Sequence, residues 1–440
     1  MVAQPEPVIW TKDQVQQILS NRIDVEKQAV GIVVGLIDAS GKQVIGHGSI
    51  RGSEPPQKPD GDTVFEIGSV SKVFTSLLLA DMVVKGEVAL NDPVSKYLPK
   101  TVAMPARGGS EITLLNLSTH TSALPRMPTN LAPTDPENPY ADYTAEMMYS
   151  FLSGYKLTWD IGTRCEYSNL GAGLLGHVLA LRAGTDFDTL VSTRIAKPLG
   201  MTSTSIALTK DMQTRLAIGH DVSLTKAKNW DLPTLAGAGA IRSTVTDMLL
   251  FVEANMGKKK TSLEAAMTEQ QITRNAAGQP NLSMALGWHK LSQFGGDVVW
   301  HNGQTGGYHS FVGFDAKRGV GVVVLTNTAT DIDDIGLHLL DTRFPLKKPP
   351  LRVDPKILDS YVGDYEIIPA FVISITKQGE RMMLQATGQP KIEIFAESDS
   401  KFFLEVVDAK ISFVKDKAGA ITQLILHQNG ANQIAKKRSP

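Results

Sequence analysis

A single cysteine, Cys165, stands in the 440 residues, which excludes an intramolecular disulfide and any cysteine-rich metal site and leaves packing to hold the fold. Excess charge is missing too. Lys and Arg number 44 against 45 Asp and Glu, and a net charge of -1 offers nothing to hold a phosphate backbone or an anionic bilayer surface. Long apolar runs are absent: Leu77 to Val84 falls far short of the roughly 20 residues that cross a bilayer. Nucleic acid and a membrane span therefore drop out as expectations. Met1 to Pro7 has no charged n-region and no apolar h-region, so the chain is either cytoplasmic or shown here without a signal peptide. Disorder is excluded by a 42% hydrophobic content, enough for one large core and a second, smaller one.

Thr11 to Gln28 reads as an amphipathic helix, with Thr11 as N-cap and Val15, Ile18, Ile23 and Val25 at helical spacing. Val30 to Ile37, a turn at Gly41 and Lys42, and Gln43 to His47 predict a hairpin. Asp297 to Trp300, Ser310 to Phe314 and Val320 to Leu325 predict a second group of strands, followed by a helix over Asp331 to Leu340. Between the two groups, helical patterns at Thr75 to Lys85, Thr144 to Ser153, Leu170 to Ala183 and Thr246 to Asn255 predict a helical insertion over 75–290. The α+β expectation is an antiparallel sheet flanked by helices. Met127 to Tyr140 carries Pro128, Pro133, Pro136 and Pro139 and reads as a loop, either a solvated connection or a cleft wall.

Consecutive prolines mark 346–352 as a linker between a domain over 1–345 and a second over 353–440. The second alternates apolar and polar residues in Phe371 to Ile375, Met382 to Gln385, Lys391 to Phe395, Phe402 to Val407, Lys410 to Val414 and Ile421 to His427. That pattern predicts a small all-β barrel or sandwich. A scaffold or oligomerisation role is its default.

Three short segments carry residue types suited to chemistry. Ser69-Val70-Ser71-Lys72 runs into the apolar helical stretch Val73 to Val84, placing Ser69 at the helix's first turn and Lys72 one turn up on the same face. Partial desolvation at a helix N-terminus would ease deprotonation of that amine. The geometry suits a Ser-Lys nucleophile pair; the bland alternative is a capping serine and a solvated lysine. Tyr167-Ser168-Asn169 opens another helix, and a tyrosine whose pKa is lowered by cations can move protons. Its bland alternative is a core tyrosine with Asn169 as helix cap. His301-Asn302-Gly303-Gln304, between two predicted strands, is glycine-rich enough for a substrate to approach the backbone, or else a plain hairpin turn with a surface histidine. Nine histidines show no His-x-x-His or carboxylate spacing, so His120 and His309 read as structural, and no Gly-x-Ser-x-Gly elbow is present.

In this order, the three segments resemble the serine β-lactamase and penicillin-binding-protein superfamily, in the branch of class C β-lactamases, D-alanyl-D-alanine peptidases and family VIII-type esterases. Leu115 to Pro125, Ala236 to Met248 and Ala285-Leu286-Gly287-Trp288 extend the likeness, which covers Val30 to Thr342. The C-terminal meander resembles the lipocalin-like domain that some of these hydrolases carry. The resemblance implies Ser69 as acylated nucleophile, Lys72 as proton acceptor and Tyr167 as shuttle to the leaving group. It implies that Asn169 holds the substrate amide, that the N–H groups of Ser69 and Gln304 form the oxyanion hole, and that His301, Asn302 and Gly303 line the substrate. No metal and no cofactor are implied.

Two departures from the family pattern qualify this reading. His301 replaces a lysine, so activity is expected to fall as pH rises if protonated His301 depresses the Tyr167 pKa. Asn302 stands where many members have a hydroxyl for a substrate carboxylate. The expected substrate is a small molecule or peptide: a D-alanyl peptide or β-lactam first, an ester second, with a non-turnover β-lactam sensor as a third reading. The resemblance implies a periplasmic or secreted protein, with cytoplasmic as the alternative.

Overall fold

The computed structural model describes residues 9–51, 57–347, 353–379, 381–404, 409–428 and 431–438. Met1 to Pro7, residues 348–352 of the expected linker and residues 405–407 of one expected strand lie outside them. The chain forms two compact units, Met1–Leu346 and Lys347–Pro440.

In the first unit Thr11 Oγ1 accepts from the Gln14 N–H while the Gln14 side chain accepts from the Thr11 N–H, a capping box that starts α1, Lys12–Ser20. The helix then widens into a π turn over Asn21–Val25, so it stops short of Gln28. Val25, read as part of the apolar stripe, is 74% exposed. The buried face at that turn belongs to Ile23 and to Arg22, whose guanidinium pairs with Asp334 at 2.6 Å. The hairpin is β1, Gly31–Asp38, and β2, Gly41–Gly48. Its turn falls at Ala39 and Ser40, ahead of the expected Gly41-Lys42, because Asp38 Oδ1 accepts the Ser40 N–H at 2.7 Å.

The chain then leaves the sheet for a helical insertion built on α2, Ser71–Val84, α3, Asn169–Ala183, and α4, Val245–Asn255. It returns as β3, Asn275–Ala276, β4, Leu282–Met284, β5, His289–Gln293, β6, Gly296–Gln304, β7, His309–Asp315, and β8, Val320–Thr326, before α5, Asp333–Leu340. The eight strands lie in the order β2-β1-β8-β7-β6-β5-β4-β3, every pair antiparallel. Strand alternation divides the core. Val33, Val312 and Val323 pack on α2 and α4, while Ile32, Phe311 and Val322 pack on α1 and α5. Ser71 to Met82 are all buried, so α2 is the central helix of the unit rather than an amphipathic surface one.

In the second unit α6, Pro355–Tyr361, precedes β9, Gly363–Ile368, β10, Phe371–Gln378, β11, Arg381–Ala386, β12, Ile392–Ala396, β13, Lys401–Leu404, β14, Ala409–Lys415, β15, Ile421–Gln428, and β16, Ala431–Lys437. They form a closed up-and-down barrel, lipocalin-like in form, with β9 pairing β16 so that no edge is left open. The first and last strands were not among the six expected. In β16 only Ala435 is buried, so no alternation announces it. Tyr361, Phe402 and Phe413 fill the interior. Among the described residues no helix is long and apolar enough to cross a membrane.

Candidate active site

A short 3-10 turn, Gly68–Val70, precedes α2, so Ser69 sits just ahead of the helix rather than in its first turn. Lys72 Nζ lies 2.8 Å from Ser69 Oγ and donates to the Ala238 carbonyl at 2.7 Å. Burial, with a smaller push from the charge of Arg126, holds the Lys72 pKa well below the ordinary lysine value. So placed, the amine donates to both Ser69 Oγ and the Ala238 carbonyl, and its lowered pKa eases the loss of a proton.

Tyr167 reaches the same point from the segment before α3. Ser168, not Asn169, caps that helix: its Oγ accepts the Gly171 N–H at 2.8 Å and donates to the Pro125 carbonyl at 2.7 Å. The Asn169 carboxamide is thereby left for the pocket, with Nδ2 3.5 Å from Met127 Sδ. The Tyr167 ring centroid is 4.7 Å from Lys72 Nζ, and its phenol hydrogen-bonds Ser69. Burial pushes the phenol up to about 12, opposed by the Ser69 hydrogen bond and the Arg126 charge. The expected lowering by cations is thus outweighed, and Tyr167 rests as a proton donor. His120 packs on its ring at 4.6 Å and accepts the Ser168 N–H on Nδ1, which keeps that imidazole neutral.

β6 continues to Gln304, so His301, Asn302 and Gly303 are strand residues and not the turn expected from the glycines. His301 is fully buried on the insertion side, its ring 6.3 Å from Tyr167 and 5.0 Å from His289. Its Nδ1 faces the Asn302 carbonyl at 2.5 Å, and among the described residues its Nε2 has no partner. Burial, then the neighbouring His289 and Lys72, hold His301 well below the usual histidine range, and His289 is pushed down to about 4 by burial. His301 is neutral near neutral pH, which corrects the expectation of a protonated imidazole acting on Tyr167.

Asn302 is turned the other way. It pairs with Phe311, on the sheet face packed by α1 and α5, and its Nδ2 donates to Asp333 Oδ2 at 2.5 Å. Its side chain is therefore not brought to Ser69 with the other expected substrate-binding residues. His309, read as lacking carboxylate neighbours, lies 3.1 Å from Asp333 Oδ1, and with Asp331 its donor atoms fall within 4.8 Å. Both Asp333 oxygens are already hydrogen-bonded, so the group braces the β6–β7 hairpin against α5.

Two glycines join the nucleophile's turn to β6. A Cβ on Gly303 would stand 2.1 Å from the Ile67 carbonyl oxygen and 2.8 Å from the Ser69 nitrogen. Gly68, at φ +48, lies so close that its Cβ would be 2.7 Å from the Gln304 nitrogen. Backbone meets backbone there, setting the Ser69 and Gln304 amides side by side. Ser310 Oγ clamps the contact by donating to the Ile67 carbonyl at 2.8 Å.

The pocket over Ser69 is walled by Asn169, Gln304, Leu235, Tyr140 and Trp230, the last two edge to face at 5.1 Å. The proline-rich loop thus ends on a cleft wall. Glu66, three residues before Ser69, anchors that wall: Oε1 accepts from the Trp230 N–H and Asn229 Nδ2, each at 3.0 Å, and from Arg242 at 3.2 Å. Sequence reasoning missed Arg126, whose guanidinium carbon lies 5.1 Å from the Tyr167 ring centroid. An exposed arginine after a proline gives no local signal; its carbonyl reaches the site only by accepting the Asn169 and Leu170 N–H groups at 3.0 and 3.2 Å. A hydroxyl, an amine of lowered pKa, a protonated phenol and two convergent amides are the parts of acyl transfer.

A family model described as Beta-lactamase matches residues 14–339, and one described as Domain of unknown function (DUF3471) matches residues 347–437. The chain is 29% identical over 341 residues to D-alanyl-D-alanine-carboxypeptidase/endopeptidase AmpH of Escherichia coli (strain K12), covering 73% of this chain and 86% of that protein. It is 25% identical over 437 residues to Penicillin-binding protein 4* of Bacillus subtilis (strain 168), covering 91% and 94%. Among solved structures, Beta-lactamase/D-alanine Carboxypeptidase from Yersinia pestis complexed with citrate superposes with a TM-score of 0.67 at 25% identity, covering 77% of this chain and 99% of that one.

Proposed function

The chain belongs to the beta-lactamase family, and from that premise we propose that it is a serine hydrolase that cleaves D-alanyl peptide or β-lactam amide bonds through an acyl-enzyme on Ser69. The observation that carries this is the placement of Lys72 Nζ 2.8 Å from Ser69 Oγ with the Tyr167 phenol bonded to the same hydroxyl. Lys72 takes the Ser69 proton as Oγ attacks the substrate carbonyl carbon. The new oxyanion meets the Ser69 and Gln304 N–H groups, each such donor contributing about 3 to 4 kcal/mol to the transition state. Tyr167 gives its proton to the leaving nitrogen as the C–N bond breaks, and recovers one from Lys72. Water then enters, gives a proton back through the same pair, and releases the acid from Ser69. Asn169 orients the substrate amide.

The same proposal assigns catalysis to residues 1–345, leaves 353–440 as a scaffold, and places the protein in the periplasm or outside the cell, where D-alanyl wall peptides are met. A carboxylesterase is the second reading, favoured by the turning of Asn302 to Asp333. Intact mass after benzylpenicillin or a fluorophosphonate, followed by turnover of a D-Ala-D-Ala peptide, a chromogenic cephalosporin and a nitrophenyl ester, tests all of this. Amide turnover lost in Ser69→Ala supports the first reading and ester turnover alone the second. A stable penicillin adduct without turnover would mark a sensor, and no adduct with any probe would end the proposal.

A further inference from the structure

We propose that Arg126 is the substrate-carboxylate receptor of this site, so that the preferred acyl donors are anionic and their charge is read from the Tyr167 side rather than from the third motif. This rests on the Ser69 hydrolase reading. Asn302, which stands where a hydroxyl for a substrate carboxylate was expected, and the other polar groups near Ser69 are engaged or carry lowered pKa values. Asn302 is engaged by Asp333, Lys72 is committed to Ser69 and the Ala238 carbonyl, and His301 is a neutral imidazole.

Arg126 differs from all of these. It is exposed, and among the described residues no carboxylate pairs with its guanidinium, whose recorded contact is the face of Tyr167 at 5.1 Å. Stacking holds a guanidinium by its plane and leaves its N–H edge free for a bidentate carboxylate. The backbone is not loose: the Arg126 carbonyl is pinned by two amides of α3, including that of Asn169, which fixes the arginine beside the residue that orients the substrate amide. Its charge also acts on Tyr140, which lines the pocket, and on the buried Lys72 beside Ser69. A carboxylate bound beside Tyr167 and Asn169 would therefore meet a cation that, among the described residues, no carboxylate pairs.

Two parts of a substrate could supply that carboxylate: the terminal carboxyl of the leaving D-amino acid, or an acidic group on the acyl portion. Three matched aryl esters of acylglycines separate them, one neutral, one with the carboxylate on the aryl leaving group and one with it on the acyl chain. In Arg126→Met, kcat/KM for one of the charged esters should fall about 10- to 100-fold further than for the neutral ester, mainly through KM, with partial recovery in Arg126→Lys. Whichever charged ester loses most names the source. An equal fall for all three, accompanied by a shifted pH profile, would mean that Arg126 only tunes Tyr167 and would overturn the proposal. A readout without catalysis accompanies it. Calorimetric binding of an N-acyl-D-Ala-D-Ala acid and its C-terminal amide, and of acyl-side acid and amide analogues, to Ser69→Ala should show an acid preference that Arg126→Met removes. No acid preference, or one that survives Arg126→Met, would overturn the proposal. Lack of any Ser69 adduct with a fluorophosphonate would instead overturn the hydrolase reading.

Discussion

The two units bury their interiors equally well and to opposite ends. Among the described residues every buried polar or charged side chain lies between Arg22 and Asp341, in the first unit. The barrel core is Ile, Leu, Phe, Met, Ala and Val with two tyrosines, each satisfied by a backbone carbonyl: Tyr361 Oη donates to Asp399 and Tyr365 Oη to Tyr361, both at 2.7 Å. In the first unit Lys72 and His301 are buried without a counter-charge, and Glu66 Oε2, His289 Nδ1 and His301 Nε2 lack partners among the described residues. An uncompensated ionisable group costs stability. A fold carries such a cost where pKa values have to be moved, and the contrast locates the chemistry independently of any motif.

The largest expected effect that would break this comparison is in Ser69→Ala. It should lose at least about 10³-fold in turnover and all labelling by acylating probes; residual labelling elsewhere would move the site. Gly303→Ala comes next. A methyl 2.1 Å from the Ile67 carbonyl oxygen has to push β6 off the nucleophile's turn, and kcat should fall about 10²- to 10³-fold, with circular dichroism unchanged. Phe413→Ala attacks the other side. Removing a ring stacked on Tyr361 at 4.0 Å should cost the barrel about 3 to 5 kcal/mol in urea unfolding while the Ser69 labelling rate is retained. A matching loss of labelling would show that the units do not divide the work. The smallest effect sharpens the electrostatics. With Lys72 as the proposed base, kcat/KM should rise with pH through its lowered titration and then stay level toward the Tyr167 phenol at about 12. His301→Gln should change the rate by less than about tenfold without altering that shape. A fall between pH 6 and 8, absent in His301→Gln, would restore the protonated histidine.

What was legible in the sequence was what is local or periodic. Ser69 and Lys72 are three residues apart at a helix start, Tyr167 precedes an apolar helix, and strands β7 and β8 announce themselves by apolar runs. What was illegible depends on register and on distant chain. His289 comes within 5.0 Å of the His301 ring from β5, a strand that no apolar pattern marks. Arg126 reaches Tyr167 through hydrogen bonds to a helix some forty residues on. Asn302 faces Asp333 because β6 runs further than its glycines suggest, and one residue of alternation decides the face. Strand β9 hid for a simpler reason: it follows α6 directly, and only Tyr365 in it is buried.

The burial of Lys72, Tyr167 and His301 also sets how the protein should respond to dissolved salt. Mobile ions screen only charges that are present before the reaction, over about 8 Å at physiological ionic strength. With the amine and the phenol shielded by burial, acylation by an uncharged ester should proceed at nearly the same rate in dilute buffer and in strong brine. An anionic substrate drawn to the exposed Arg126 should slow as salt is added. The slope of rate against ionic strength is therefore a voltmeter on the site: flat where the reacting groups stand, tilted where the exposed Arg126 meets the solvent.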